Sequence, residues 1–137
     1  MKISKKIQFN KGSGEFVAFS VVAPLILSIV IMICAYIQLT VAIREITNAL
    51  SVSGRSAAVC TSFEDAEAQS LLVAQSAITD RNISNISIKI EYASGYTEWE
   101  KGSIILVTIY ADVDTVAPFL TSGTRSRTMV VTVEGGN

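Results

Sequence analysis

The chain has 137 residues, half of them hydrophobic, with a formal net charge of −1 and no histidine. Without histidine the commonest general base and the imidazole metal ligand are both missing, and two cysteines alone cannot build a structural zinc site. No basic patch of the kind that binds nucleic acid stands out from so balanced a charge.

Residues 1–14 read as a basic cytoplasmic leader, with Lys2, Lys5, Lys6 and Lys11 opposed only by the following Glu15, and with Gly12 and Gly14 near its end. From Phe16 to Ile43 come 28 consecutive residues without a charge. As a helix they extend about 42 Å, against roughly 30 Å for the apolar core of a bilayer. A single membrane span is therefore expected, its excess length tilting or projecting as a stalk. Past Ile43 there are seven Lys/Arg and eleven Asp/Glu, four net negatives, so the lysine end is expected in the cytoplasm and the rest outside. A cleaved secretory signal fits poorly. The apolar run is about twice the usual 7–15 residues, and no small-x-small site follows it. Cys34 lies mid-span after Ile33, which does not suit a lipoprotein cleavage either.

Helical character is expected to begin around Glu15, where an acidic side chain meets the positive end of the helix dipole. Pro24 removes one backbone bond, to the Ser20 carbonyl, and predicts a bend. Beyond the apolar run, Leu39, Ile43, Ile46, Leu50, Ser53, Ala57 and Cys60 alternate at spacings of four and three, a packing seam along one face. Gln38, Arg44, Glu45, Asn48 and Arg55 fall on the opposite face, and Gly54 allows a neighbour to come close. One continuous rod is expected over 15–60, half in lipid and half outside. On it Cys34 and Cys60 stand about 39 Å apart, too far for a mutual disulfide, so both are expected as free thiols or in an intermolecular bond.

Thr61 with Glu64, or Ser62 with Asp65, has capping-box spacing and starts a second helix that runs to about Thr79. Leu71, Leu72, Gln75 and Ile78 continue its amphipathic pattern. After Asn82 the period becomes two. Ile86, Ile88, Ile90 and Tyr92 alternate with polar residues; Ile105, Val107, Ile109, Ala111 and Val113 share a face; Met129, Val131 and Val133 share another. Pro118 ends the middle strand, and a turn is expected at residues 121–124. Three strands with short connections predict an antiparallel meander, covered by the second helix and the outer half of the first. The fold class is α+β: a small extracytoplasmic head over 61–137 on a membrane-rooted helix.

Chemistry is sparse. Nucleophile-elbow, phosphate-loop and dinucleotide motifs are missing. Asp112 and Asp114 share a strand face and read as a solvated pair rather than as paired catalytic carboxylates. Trp99, in a loop among Glu98, Glu100 and Lys101, either presents a contact residue or folds back over the core edge. Asn82-Ile-Ser and Asn85-Ile-Ser match the glycosylation triplet by chance. No cofactor, metal or small-molecule substrate is expected. Glu15, at the mouth of the apolar span, is the charge most suited to meet a positive group on a neighbouring subunit.

The run Lys11-Gly-Ser-Gly-Glu-Phe-Val-Ala-Phe-Ser-Val-Val-Ala-Pro-Leu-Ile-Leu resembles the N-terminus of TadE-like proteins, the minor pseudopilins of the tight-adherence (Flp) pilus system. Glu15-Phe16 and Ala23-Pro24 carry the likeness, supported by Gly54-Arg-Ser-Ala-Ala, Val107-Thr-Ile-Tyr and Pro118. The resemblance implies a pilin-like head, a role in pilus assembly or a related secretion apparatus, and assembly residues at Glu15, Phe16 and Pro24. It also implies partners: membrane lipid, other pilin or pseudopilin subunits, and the assembly machinery. Family members cut by a prepilin peptidase carry Gly before the cut and Glu as the fifth residue after it. Here that count places Asn10 where the Gly belongs, leaving Gly12 and Gly14 as processing candidates at unusual spacing. The resulting reading is a non-catalytic pilus-assembly component. The alternatives are a membrane-anchored binding module unrelated to pili and, more remotely, an anchored hydrolase using Asp112 or Asp114.

Overall fold

The computed structural model describes residues 11–136, with side-chain surroundings from residue 14 onward. Lys2, Lys5, Lys6 and Asn10 lie outside the described residues. In chain order the elements are α1 (Lys11–Ala58), α2 (Phe63–Ala77), β1 (Ile83–Tyr92), β2 (Ile104–Val113), α3 (Pro118–Thr121) and β3 (Gly123–Thr132). The architecture is α+β: a long apolar helix, a second helix and a three-stranded antiparallel sheet in the order β1-β2-β3.

α1 is one helix of 48 residues, about 72 Å long. It is already helical at Lys11, the first described residue, four positions before Glu15. A glycine costs a helix about 1 kcal/mol, and a long cooperative helix absorbs Gly12 and Gly14. The helix also runs through Pro24. On either side of it, the Ser20 and Ser28 hydroxyls donate to the carbonyls of Phe16 and Pro24, each at 2.8 Å.

The outer half of α1 buries most of the expected seam, but Ile43 is only half-buried and stays outside the core. Ile46, Leu50, Ser53 and Ala57 are buried, and Leu39 and Cys60 pack at its margin. Ala42, Ala49 and Ala58 widen the buried face. Gly54 lies against β3: a Cβ there would stand 3.2 Å from Val131 Cγ2 and 3.3 Å from Met129 Sδ. The face opposite the seam is not wholly free. Arg44, Asn48 and Arg55 are exposed, but Gln38 and Glu45 reach other elements.

α2 starts at Ser62, whose hydroxyl accepts from the Asp65 N–H at 3.2 Å, so of the two capping pairs Ser62 with Asp65 is the one used. Its buried face differs from the expected one. Ala66, Ser70 and Ala74 are buried, with Ile78 just past the helix end, whereas Leu72 is 62% exposed. Small residues every fourth position let α2 lie close to α1, while Leu71 is half-buried and Leu72 turns outward.

In the sheet, β2 is the central strand, and Ile105, Val107, Ile109, Ala111 and Val113 all face the helices. In β1 the buried face changes parity, with Ile83 inward and then Ile86, Ile88, Ile90 and Tyr92. The register explains it: Ser84 pairs with Asp112 and Ser87 with Tyr110, one extra residue on β1. That bulge holds Asn85 at φ 50°, a left-handed conformation that Asn tolerates. β3 pairs along its whole length with β2, from Val113 with Gly123 to Ile104 with Thr132. The turn expected at residues 121–124 is instead the end of α3 followed directly by β3. Pro118 at the start of α3 has the fixed φ a first helical turn uses.

The outer half of α1 shares one core with α2 and the sheet, so Ala42, Ile46, Ala49, Leu50 and Ala57 belong to the head as fully as the strands do. Each fully buried Ile or Val in this cluster contributes about 1.5–3 kcal/mol. The helical stretch before it makes no such core.

Candidate functional site

From Phe16 onward, charge-free residues around the whole circumference leave the first half of α1 no charged face to present. Its most apolar 18-residue window has a mean hydropathy of 2.8, and none of that window is buried in the fold. Phe16 is 72% exposed and Phe19, Leu25 and Ile26 are exposed too. By length and composition this half is compatible with a single membrane-spanning helix.

The residues singled out from the sequence sit on this half. Glu15, Phe16 and Pro24 are all exposed. At about 100° per residue, Glu15 and Pro24 project from opposite sides of the helix, with Phe16 about 100° round from Glu15. A single neighbouring helix could therefore meet Glu15 or Pro24, but not both. Gly12 and Gly14 are helical residues of α1, and a Cβ at Gly14 would meet nothing within 4 Å.

Two polar clamps fix where the head begins. The Val116 N–H donates to Gln38 Oε1 at 3.0 Å, tying the β2–β3 connection to α1. One helical turn or two further on, Glu45 Oε1 accepts from the Thr79 N–H at 2.5 Å, the Thr79 hydroxyl at 3.0 Å and the Asp80 N–H at 3.1 Å. The Thr79 N–H, above all, holds the Glu45 carboxyl below its usual pKa. The sequence pattern puts both residues on the face opposite the seam and gives neither a partner. The only signal against it was Glu45's position on a helix segment that otherwise packs.

Below Gln38, the connection holding α3 lies along the apolar half of α1. Phe119 and Leu120 border one groove with Ser28, Ile31 and Met32, and Leu120 borders a second with Met32, Ala35 and Tyr36. The strand-to-strand loop was read for its Pro118 and Gly123, and the apolar Val116, Phe119 and Leu120 within it went unused.

At the other end of the sheet, Trp99 folds back. Its indole N–H donates to the Cys60 carbonyl at 3.0 Å, and its ring meets Phe63 and Tyr92 edge-on at 5.9 and 6.5 Å. Cys60 is partly buried, and desolvation followed by the nearby Asp65 pushes its thiol pKa up. Cys34 is exposed on the apolar half of α1, and both cysteines are free. Asp112 accepts from Asn85 Nδ2 at 2.8 Å and Thr124 Oγ1 at 2.5 Å, the Thr124 hydroxyl being the main cause of its lowered pKa. Asp114 lies beyond the end of β2 and is exposed, its N–H bonded to the Asn82 carbonyl. The Asp112 carboxylate thus closes the β1 bulge. The amides of both glycosylation triplets are engaged as well, Asn82 Nδ2 with Asp80 and Asn85 Nδ2 with Asp112.

Among the described residues no group of three or more His, Cys, Asp or Glu is placed to hold a metal. Comparison with family models, with curated proteins and with solved structures finds no match to this chain.

Proposed function

We propose that this chain is a single-pass membrane protein, lysine end in the cytoplasm and head outside, that works as a minor pseudopilin-like component of a pilus or related secretion apparatus. It acts by packing rather than by catalysis. Its partners are lipid and neighbouring subunits, and its assembly surface is the apolar half of α1 with Glu15 at its mouth.

One observation carries the reading: a single unbroken helix is exposed and apolar over its first half and is the core of a small folded head over its second. That division suits a subunit rooted in lipid whose helix can pack beside others while the head stays outside. Glu15 lies where the apolar run begins, and a carboxylate at that depth is tolerated most easily beside a cation from a neighbour.

The test is purification of the full chain in mild detergent from its native host. A pseudopilin is expected to bring with it an assembly ATPase and its membrane platform. Glu15→Ala is expected to leave the head folded while pilus yield falls. Recovery of a lone chain bound to an extracellular ligand, with pilus yield unchanged by Glu15→Ala, would instead favour an anchored binding module.

A further inference from the structure

We propose that the β2–β3 connection is a second membrane contact, with Val116, Phe119 and Leu120 dipping into the outer leaflet beside α1. The inference rests on α1 spanning the bilayer, and extends it to a segment that is neither helical span nor flank.

Position comes first. If the hydrocarbon begins at Phe16, about 30 Å of helix carries it some 20 residues on, to about Tyr36. Gln38 is the first polar side chain after that point with a tertiary partner, and the partner is Val116. From there the connection turns back towards the N-terminal half of α1. Phe119 and Leu120 lie against Ser28, Ile31, Met32, Ala35 and Tyr36, so they reach about 3–15 Å along the axis below Gln38. That is within the slab α1 assigns to lipid.

Surface chemistry agrees. Phe119 is 86% exposed, Leu120 56% and Val116 54%, so more than half of each side chain is left uncovered by the described residues. A hairpin connection in water favours Gly, Asn and Asp at its tip; this one presents aromatic and aliphatic groups. Their exposed surface is continuous with that of the apolar helix, which lipid already covers in this reading.

The backbone of the segment is unusual for a loop. The N–H groups of Leu120 and Thr121 donate to the Ala117 carbonyl and that of Ser122 to the Pro118 carbonyl. The Thr115 N–H donates to the Ser122 hydroxyl, and the Thr115 and Thr121 hydroxyls bond each other. Pro118 has no N–H. Non-helical backbone survives at membrane depth only when its polar groups are satisfied within the protein, and here most are. A protein partner would supply bonds of its own and has no need of such closure; lipid offers none.

The test uses the full chain carrying Cys34→Ala and Cys60→Ser, reconstituted in phosphatidylcholine vesicles, with a nitroxide placed singly through Phe119→Cys or Leu120→Cys. Labels through Ile31→Cys on α1 and Lys101→Cys at the far end of the sheet are the references. Collisions with oxygen and with a water-soluble nickel chelate report depth. The labels at 119 and 120 are expected to favour oxygen, as at 31, and the label at 101 to favour nickel. If the label at 31 is in lipid but those at 119 and 120 behave like 101, the second contact is wrong and the span stands. If the label at 31 is itself aqueous, both readings fall. Shielding of 119 and 120 from both reagents, with spin–spin broadening between chains, would place a second copy on the patch and overturn the lipid assignment.

Discussion

Substituting Gly135 by alanine should destabilise the head far more than its place near the end of the sequence suggests. The residues after β3 return to the end of α1, where the Glu134 and Gly135 N–H groups both donate to the Ala58 carbonyl, at 2.7 and 3.1 Å. They supply what the last turn of α1 lacks, a partner for an unpaired carbonyl. At Gly135 a Cβ would stand 2.2 Å from the Val59 carbonyl oxygen, 2.6 Å from its carbon and 2.7 Å from the Cys60 oxygen. All three are backbone atoms, so no side-chain rotation relieves the contact. Either the strand end moves away by about 1 Å or the segment undocks, giving a cost of about 1–3 kcal/mol typical of overpacking. Undocking also sets a ceiling: a chain stopped after Glu134 should lose about as much as Gly135→Ala or more. The assay is thermal or urea unfolding of the full chain in detergent, followed by Trp99 fluorescence, because Trp99 bonds the Cys60 carbonyl beside the same contact. For a domain of about this size the loss corresponds to roughly 4–8 °C in Tm per kcal/mol. A Gly135→Ala protein within about 0.5 kcal/mol of the parent would refute the close approach. So would one clearly less stable than the shortened chain.

Ala74→Leu in α2 should cost about 1–3 kcal/mol by forcing α2 off α1, while Leu72→Ala should stay within about 0.5 kcal/mol; equal effects in urea unfolding would mean that the leucine face is the buried one after all. Ile46→Ala, at a fully buried site, should lose about 2–5 kcal/mol by the same measurement. Glu45 has a folded pKa below its unfolded value, so its contribution is present above the ordinary carboxylate range and disappears as pH falls through the folded value. Glu45→Gln should therefore be less stable than the parent near neutrality and converge with it at acid pH, and a gap that persists in acid unfolding curves would contradict an ionic contribution. Cys60 should react with maleimide more slowly than an unperturbed thiol at pH 7 to 8, because burial raises its pKa; mass spectrometry of the labelled peptides reads this directly.

The elements legible in the sequence were those where periodicity had a single cause. β2 alternates without interruption because it is the central strand with one covered face, and its five inward residues follow from the pattern. The meander order follows from short connections, and the seam of α1 from its 3.5 period. Faces made of small residues were harder. A hydrophobic pattern weights Leu71 and Leu72 over Ala66, Ser70 and Ala74, yet two helices that lie close bury the small side chains fully and leave Leu71 half-buried and Leu72 exposed. The β1 bulge was hidden because Ile83 and Ile86 each look like strand residues, and only pairing with β2 reveals the extra residue between them. Among site residues, Glu15, Phe16 and Pro24 are exposed where the pattern put them, but their angular separation emerges only once the helix is known to run unbroken. The clamping roles of Gln38 and Glu45 on that opposite face were not legible, since a polar residue that holds a distant backbone looks, in one dimension, like any other polar residue.

If the chain is rooted in lipid as proposed, the two clamps have a mechanical consequence. Gln38 holds the β2–β3 connection and Glu45 holds the junction between α2 and β1, so both layers of the head are tied to the same helix within seven positions of one another. Between Pro24 and Gly54 that helix carries neither proline nor glycine, and no hinge separates its apolar half from its packed half. Rotation of α1 about its axis must then carry the head with it, so a neighbour that fixed the azimuth of Glu15, as proposed, would also fix which way the sheet faces. A flexible linker at the membrane surface would have left the two orientations independent. In the proposed reading, helix packing in the bilayer and head contacts outside it would therefore be a single geometric choice.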